Sequence, residues 1–449
     1  MSNAEARGAR IRVMQLLRWL SPGMQLKRWL LLAALGAGFF LDGFTRMLND
    51  QHYDFRINQW IDRFNGRHVT PFGLEIVFMA IGAILVYYGV RQWMRSIVTA
   101  VSPQNSQRLI EVIYERRQLD RGFRIVAIGG GTGLSTILRG LKEYTANLTA
   151  IVTVTDDGGS SGRLRTELGV LPPGDIRNCL VALADSESMM TDLFQYRFNE
   201  GDGLSGHSFG NLFLAAMCGI AGDFDRAIKE SSRVLAIKGR VLPSTLANIS
   251  LEATLSDGSR VTGETSISKS AAPISRVRLV PPQCEPLPEA TEAILAADAV
   301  ILGPGSLYTS LMPNLLVPGI AEAIEASRAK RFYVCNIMTQ PGETDGMTAS
   351  EHLQALLDAT GKRLFDFALV NVQAPHRLLR LYESGGAHQV AADLDRVAAL
   401  GVTPAPGKFV SEIQQVRHDA RRLAQAVLKI LVEETPPAER RSTARTRVS

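Results

Sequence analysis

The chain has 449 residues, 46% of them hydrophobic and 21% charged, an ordinary globular mixture with room for more than one domain. Its four cysteines, Cys179, Cys218, Cys284 and Cys335, are scattered without CxxC spacing, which argues against a disulfide framework and against a zinc site. The net charge of +5 belongs to the N-terminal part, where residues 1–123 hold sixteen Lys and Arg against nine Asp and Glu; the remainder comes to about −2, so no nucleic-acid partner is expected.

Two apolar stretches come first in the chain, WLLLAALGAGFFLDGF at 29–44 and FGLEIVFMAIGAILVYYGV at 72–90, separated by a polar loop. Their charge-free runs of 13 and 15 residues fall slightly below the ~18–20 that a bilayer requires. Each carries one carboxylate near an end, Asp42 and Glu75, and a hairpin would bring both to the same interface. Six Lys and Arg precede the first stretch, and Arg91, Arg95 and Arg108 follow the second. The positive-inside bias therefore expects two transmembrane helices in residues 1–95, with both chain ends and the globular domain in the cytoplasm. Trp29, Tyr87, Tyr88 and Trp93 sit where an aromatic belt belongs. Two buried helices of a soluble domain are the alternative; a cleaved signal peptide is disfavoured, because no small-residue cleavage site follows the first stretch. Residues 96–121, rich in Arg, Gln and Glu, read as a helical connector.

From Arg124 the pattern changes. RIVAIG is a short apolar run followed by glycines, LSTILRGLKEY has helical spacing, and LTAIVTVT is a second apolar run. This is a βαβ unit. DAVILGPG, RFYVCNI and FDFALVN repeat the strand pattern, beside helical segments such as GIAEAIEASRAK and TASEHLQALLDATG. Continuous apolar runs of this kind are buried parallel strands, so residues 122–433 are expected to be an α/β domain with a Rossmann-like, doubly wound, mainly parallel sheet. The alternating segment ANISLEATLSDGSRVTGETSIS predicts an inserted β-hairpin. Residues 434–449, without apolar periodicity, read as a disordered tail.

In such folds ligands bind where loops leave the carboxyl ends of strands. GGGTGLS occupies that place after the first strand, and Gly130, Gly131, Thr132 and Gly133 are expected to bring backbone N–H groups to an anion. The spacing fits neither GxGxxG nor Walker A, and a plain tight turn is the alternative. VTVTDDGGSSGRLR ends the second strand. Asp156 and Asp157 suit a divalent cation or ligand hydroxyls, Ser160 and Ser161 suit phosphate, and Arg163 or Arg165 can pair with it; a helix cap with solvated arginines is the plainer reading.

PPGDIRN places Asp175, in the cap position, ahead of Arg177 and Asn178, which suit a base edge or phosphate. GHSFGN opens a further helix with His207, Ser208 and Asn211, and His207 is expected to form hydrogen bonds rather than to act in catalysis. GPGSLYTS leaves a strand through Gly303 and Gly305 and presents Ser306, Tyr308 and Thr309. NIMTQPGETDG supplies Asn336, Thr339 and Gln340, with Glu343 and Asp345 beyond. Loops so rich in Gly and hydroxyls and so poor in nucleophiles favour a polyhydroxylated, phosphorylated ligand over acyl or hydride chemistry.

Taken together in this order, the six motifs GGGTGLS, VTDDGGSSGRLR, PPGDIRN, GHSFGN, GPGSLYTS and NIMTQPGETDG resemble the gluconeogenesis factor (YvcK-like) family within the CofD, or 2-phospho-L-lactate transferase, superfamily, over residues 124–432. The resemblance implies a CofD-type fold. It also implies a regulator that binds UDP-sugars such as UDP-N-acetylglucosamine and acts in cell shape and in growth on gluconeogenic carbon. On that reading an envelope-synthesis protein and a second copy of the chain are candidate partners. The transferase branch of the superfamily instead implies Mg²⁺, here at Asp156 and Asp157, and a deazaflavin acceptor. Carried over by motif, 130–133, 156–163, Asn211 and 305–309 fall in the nucleotide cleft. The two apolar stretches depart from the common soluble form of the family.

Overall fold

The computed structural model describes residues 26–48, 71–101 and 117–434, apart from 186, 187, 271 and 414. Most of the expected connector, the loop between the apolar stretches and all but the first residue of the expected tail lie outside the described residues. The chain divides into two compact units, Met1–Glu115 and Arg116–Ser449.

The first unit contains two helices, α1 (Leu26–Leu48) and α2 (Pro71–Val101), longer than their apolar stretches. Both are long and apolar enough to cross a membrane, over Arg28–Thr45 and Glu75–Ser96. They pack together through glycine. Gly36 and Gly43 lie on one stripe of α1, Gly82 and Gly89 on one stripe of α2, and all four are buried, whereas the leucines and isoleucines around them face outward. A Cβ on Gly82 would lie 2.5 Å from the Phe40 nitrogen, and one on Gly36 would lie 2.7 Å from Leu85 Cβ. Small residues at such spacing let backbones approach closely where no hydrophobic effect drives association. Phe39 stacks on Phe78, with ring centroids 5.8 Å apart, and Trp29 meets Tyr88 edge-on at 6.1 Å.

The second unit is built on seven strands, β1 (Ile125–Gly129), β2 (Leu148–Val152), β3 (Arg240–Pro243), β7 (Ala299–Leu302), β8 (Lys330–Val334), β9 (Phe367–Asn371) and β10 (Thr403–Gly407). All pair in parallel, in the order β10-β9-β8-β7-β1-β2-β3. β1 and β2 are buried at every position, as their uninterrupted apolar sequences require. The two edges carry proline: β3 ends on Pro243, and β10 reads TPAPG. A proline cannot donate to a second neighbour, so these strands terminate the sheet.

The inserted segment is larger than a hairpin. β4 (Ser250–Leu255) and β5 (Arg260–Thr262) pair antiparallel around the Ser-Asp-Gly turn as expected, and β6 (Ile274–Val280) adds a third strand on the other side of β4. The expected continuation GETSIS is instead a short helix, Glu264–Ile267, because Gly263 at φ +94 turns the chain out of the strand.

The chain winds from β1 outward to β3, then returns to β7 beside β1 and winds the other way. Strand order thus reverses between β1 and β7. Substituting Gly82→Leu, inside the glycine contact, should destabilise the α1–α2 hairpin by about 1–3 kcal/mol. Gly38→Leu should not, since a Cβ there meets nothing within 4 Å; melting of the purified full chain in detergent distinguishes the two.

Candidate ligand cleft at the switch point of the sheet

β1 delivers the chain to Gly130, the N-cap of α3 (Gly131–Leu141), which has no side-chain cap. The first N–H groups of α3 therefore face outward from the carboxyl edge of the sheet, with the positive end of the helix dipole behind them. Gly131 has φ +61, a conformation open to glycine. Its N–H donates to Asp175, in the first turn of α5 (Gly174–Leu183). Asp175 is not the helix cap expected from sequence; Pro173 holds that position and the carboxylate reaches across to α3. A Cβ on Gly130 would lie 2.5 Å from Asp175 Oδ2, so both glycines are needed for that contact.

On the other side of the reversal, β7 leads through Gly303 (φ +85) and Gly305 into a single π turn, Leu307–Leu311. The β1 and β7 loops touch: a Cβ on Gly133 would lie 2.3 Å from the Pro304 carbonyl oxygen. Asn336, just beyond β8, locks the β7 loop with two hydrogen bonds, accepting from Gly305 N at 3.3 Å and donating to Gly305 O at 2.8 Å. Gln340 donates to Ser306 Oγ at 2.7 Å. Beneath them Asn314, fully buried, donates to Gly129 O and Ser310 O and so ties the end of β1 to the β7 loop.

These loops surround one cleft of about 360 Å³. Of the residues expected from sequence, it is lined by Gly130, Gly131, Thr132, Gly133 and Asp175, and from the far side by Gly305, Ser306, Asn336, Thr339 and Gln340.

Ser160, Ser161, Arg177, Asn178, His207, Ser208 and Asn211 form a largely buried polar cluster around α4 (Gly159–Leu168) and α7 (Phe209–Ala221). Ser160 Oγ and His207 Nδ1 are 2.8 Å apart; Asn211 Nδ2 donates to Ser160 Oγ at 3.1 Å and lies 3.4 Å from Ser161 Oγ. Ser208 caps α7, and Arg177 donates to Ser208, to Asn211 and to Asn178. Burial and the nearby Arg163 hold His207 below its ordinary pKa, which keeps the ring neutral in this hydrogen-bonding role. Arg163 donates to Ser205 O, and Arg165 to Asn248 and Ile249 O, so both guanidiniums brace neighbouring loops. Tyr308 and Thr309 are buried in the π turn, where Thr309 donates to Glu343.

A family model described as 2-phospho-L-lactate transferase CofD matches residues 125–410, from the start of β1 to the end of the sheet. The chain belongs to the CofD family. It is 48% identical to a putative gluconeogenesis factor of Nostoc over 93% of both chains. It is 49% identical to the gluconeogenesis factor of Bacillus subtilis over 69% of this chain and 98% of that one. A crystal structure of a UPF0052 family protein from Bacillus halodurans matches at 51% identity and a TM-score of 0.66, covering 68% of this chain and 99% of that one. CofD proteins thus occur both with and without a region corresponding to the first unit here.

Outside the cleft lining the expected acidic pair separates. Asp156 accepts from Gly158 N at 2.8 Å, while Asp157 Oδ1 accepts from both N and Oγ of Thr265, at 2.9 and 2.8 Å. Asp157 thereby anchors the helix Glu264–Ile267. The two carboxylates do not form a joint cradle for Mg²⁺, and no group of three or more His, Cys, Asp or Glu among the described residues is arranged to hold a metal.

Glu264, unremarked in the sequence, lines the cleft. Burial first, then the neighbouring Asp156 and Asp175, raises its pKa to about 9. Burial and Asp156 likewise raise Asp175 to about 7, against the opposing pull of the Gly131 N–H and Arg177. Protonated, these groups donate hydrogen bonds and carry no negative charge. Four more lining residues, Tyr382, Gln415, Arg417 and His418, also escaped sequence reasoning. They lie outside the Gly-rich strand-to-helix loops that marked the rest. Tyr382 Oη accepts from Val416 N at 3.1 Å, fastening the hairpin β11 (Val410–Glu412) to β12 (Val416–His418) over one wall.

Both acids bind their proton more tightly folded than unfolded. That stabilisation is complete below about pH 4 and is lost as pH rises, through about 7 for Asp175 and about 9 for Glu264. The two acids should therefore lower denaturant midpoints from pH 5 to 9, by at most about 1.4 kcal/mol per unit and per group, opposed below about pH 6.5 by His418, which burial holds down to about 4. Glu264→Gln should remove the decline between pH 7 and 9 and leave part of that below 7.

Proposed function

We propose that the chain is a membrane-anchored regulator that binds a UDP-sugar such as UDP-N-acetylglucosamine and links carbon supply to envelope synthesis and cell shape. The observation that carries this reading is the composition of the cleft. One wall offers glycine N–H groups at a helix start, suited to a diphosphate. The other offers the amides of Asn336 and Gln340 and the hydroxyls of Ser306 and Thr339, suited to sugar and base. Asp175 and Glu264 add proton donors for hydroxyl or carbonyl oxygens. The relatives named gluconeogenesis factor support the link to carbon supply.

Anchoring follows from α1 and α2. Arg28, Arg91 and Arg95 at one end of the hairpin, against Asp42, Glu75 and Arg46 at the other, support a cytoplasmic second unit by the positive-inside bias.

A second reading, transfer of a phosphorylated group from a nucleotide donor to a deazaflavin-type acceptor, is favoured by the description of the family model. A deazaflavin calls for aromatic stacking partners, and the two aromatic residues that lie within the six motifs are engaged elsewhere. Phe209 packs edge-on against Phe194 at 5.7 Å, and Tyr308 is buried in the π turn.

Calorimetric titration of residues 116–449 with UDP-N-acetylglucosamine, GDP and a deazaflavin tests both. Saturable heat with the UDP-sugar, weakened about tenfold by Asn336→Ala, is expected, since that change frees the Gly305 loop at a cost of ~1.4 kcal/mol. Silence with every UDP-sugar, alongside turnover of the transferase substrates, would sink the regulator.

The anchoring role of Asp157 gives an independent check. Asp157→Asn should cost about 1 kcal/mol of stability, as the loss of a cap-type bond does. It should leave UDP-sugar affinity within about tenfold, equally with Mg²⁺ and with chelator. An Mg²⁺ requirement that disappears in the variant would favour the transferase.

A further inference from the structure

On one face of the α1–α2 hairpin lies an apolar groove of about 710 Å³. Its α1 wall is Ala37, Phe40 and Leu41; its α2 wall runs from Ala83 through Val86, Tyr87 and Val90 to Met94. The eleven steps from Ala83 to Met94, at ~1.5 Å rise each, make it ~16 Å long, close to the ~15 Å of one leaflet of a bilayer's hydrocarbon core. Its volume falls in the ordinary range of small-molecule sites. The single charged residue in its lining is Arg91, near the end that carries the other cations. Arg91 is exposed and has no hydrogen bond or ion pair among the described residues, whereas its neighbour Gln92 is turned to Tyr88. Asp42 and Glu75 belong to the opposite end of the hairpin.

We infer that this groove holds one acyl chain of an anionic phospholipid from the cytoplasmic leaflet, with the lipid phosphate at Arg91. The inference rests on the membrane reading given above. The match of length to one leaflet selects a lipid tail over a short ligand. The lone cation at the deep-to-interface end, with carboxylates only at the far end, selects an anionic headgroup over a zwitterionic one. Glycine supplies the reason for the groove: Gly36 and Gly82 draw the helices together, and the small Ala37 and Ala83 beside them leave a floor that larger side chains would fill.

The test uses the full chain purified in neutral detergent, given equal amounts of palmitoyl-oleoyl phosphatidylglycerol and phosphatidylcholine, with bound lipid counted by native mass spectrometry. Phosphatidylglycerol should be retained about fivefold over phosphatidylcholine, the scale of one basic residue at an anionic surface. Arg91→Gln should bring the two lipids level, and Ala83→Phe, which fills the groove, should remove the adduct. Leu35→Phe, exposed and outside the groove, should change nothing. If Ala83→Phe loses helicity by circular dichroism, Arg91→Gln decides alone. Equal retention of both lipids by the unaltered chain overturns the inference, as does an adduct that survives Ala83→Phe. Lipid-free dimers that Ala83→Phe dissolves would show that a second copy is the occupant. Alkaline extraction of native membranes reads the anchor separately: release of the chain sinks both the anchor and the groove, while a retained chain with no lipid preference sinks only the groove.

Discussion

The cleft depends on one close approach, Gly133 against the carbonyl of Pro304. Helices leaving neighbouring strands at a reversal of strand order go to opposite faces of the sheet, so the β1 and β7 loops would part unless something held them. What holds them is backbone contact, possible only without a Cβ at Gly133, reinforced from below by Asn314 and from the side by Asn336. With the loops in contact, the helix start at Gly131 and the hydroxyls after Gly305 face one volume. A ligand then meets both walls at once. The positions that make this geometry are glycines and amides.

The sheet was largely legible because a buried parallel strand must be apolar on both faces, and β1, β2, β7, β8 and β9 all announce themselves that way. β3 and β10 did not. Their prolines, which make them good edges, also hide them, since TPAPG has none of the β-branched character of a central strand. β6 was missed for a related reason: half of its residues face solvent, and ISRVRLV reads as a charged segment until its alternation is matched to β4.

The candidate site was legible to a different degree. Loops placed after strands identified nine lining residues, because topology fixes where such loops go, and the helix start at PPGDIRN supplied Asp175. Chemistry alone misplaced others. Arg163, Arg165 and Asp157 have the side chains of a phosphate or metal site, yet each bonds a backbone group of a neighbouring loop, a partner that sequence does not display. Conversely Glu264 and Arg417 sit in segments without a motif and reach the cleft through the fold of the insertion and of the β11–β12 hairpin. The two units also invert each other's logic. In the second, apolar side chains are inside and glycine serves turns; in the hairpin, glycine is inside and leucine outside.

The wall of the cleft made by Tyr382 and the β11–β12 hairpin has a core of its own. Ile337, Met338 and Val410, with Leu379, Tyr382 and Val416 packed on them, form a cluster distinct from the large core beneath the sheet. A cluster of six residues buries far less surface than the sheet does, and small units of that kind open at a lower free energy than a global core. This wall of the cleft is therefore held by packing that is separate from the packing that holds the strands.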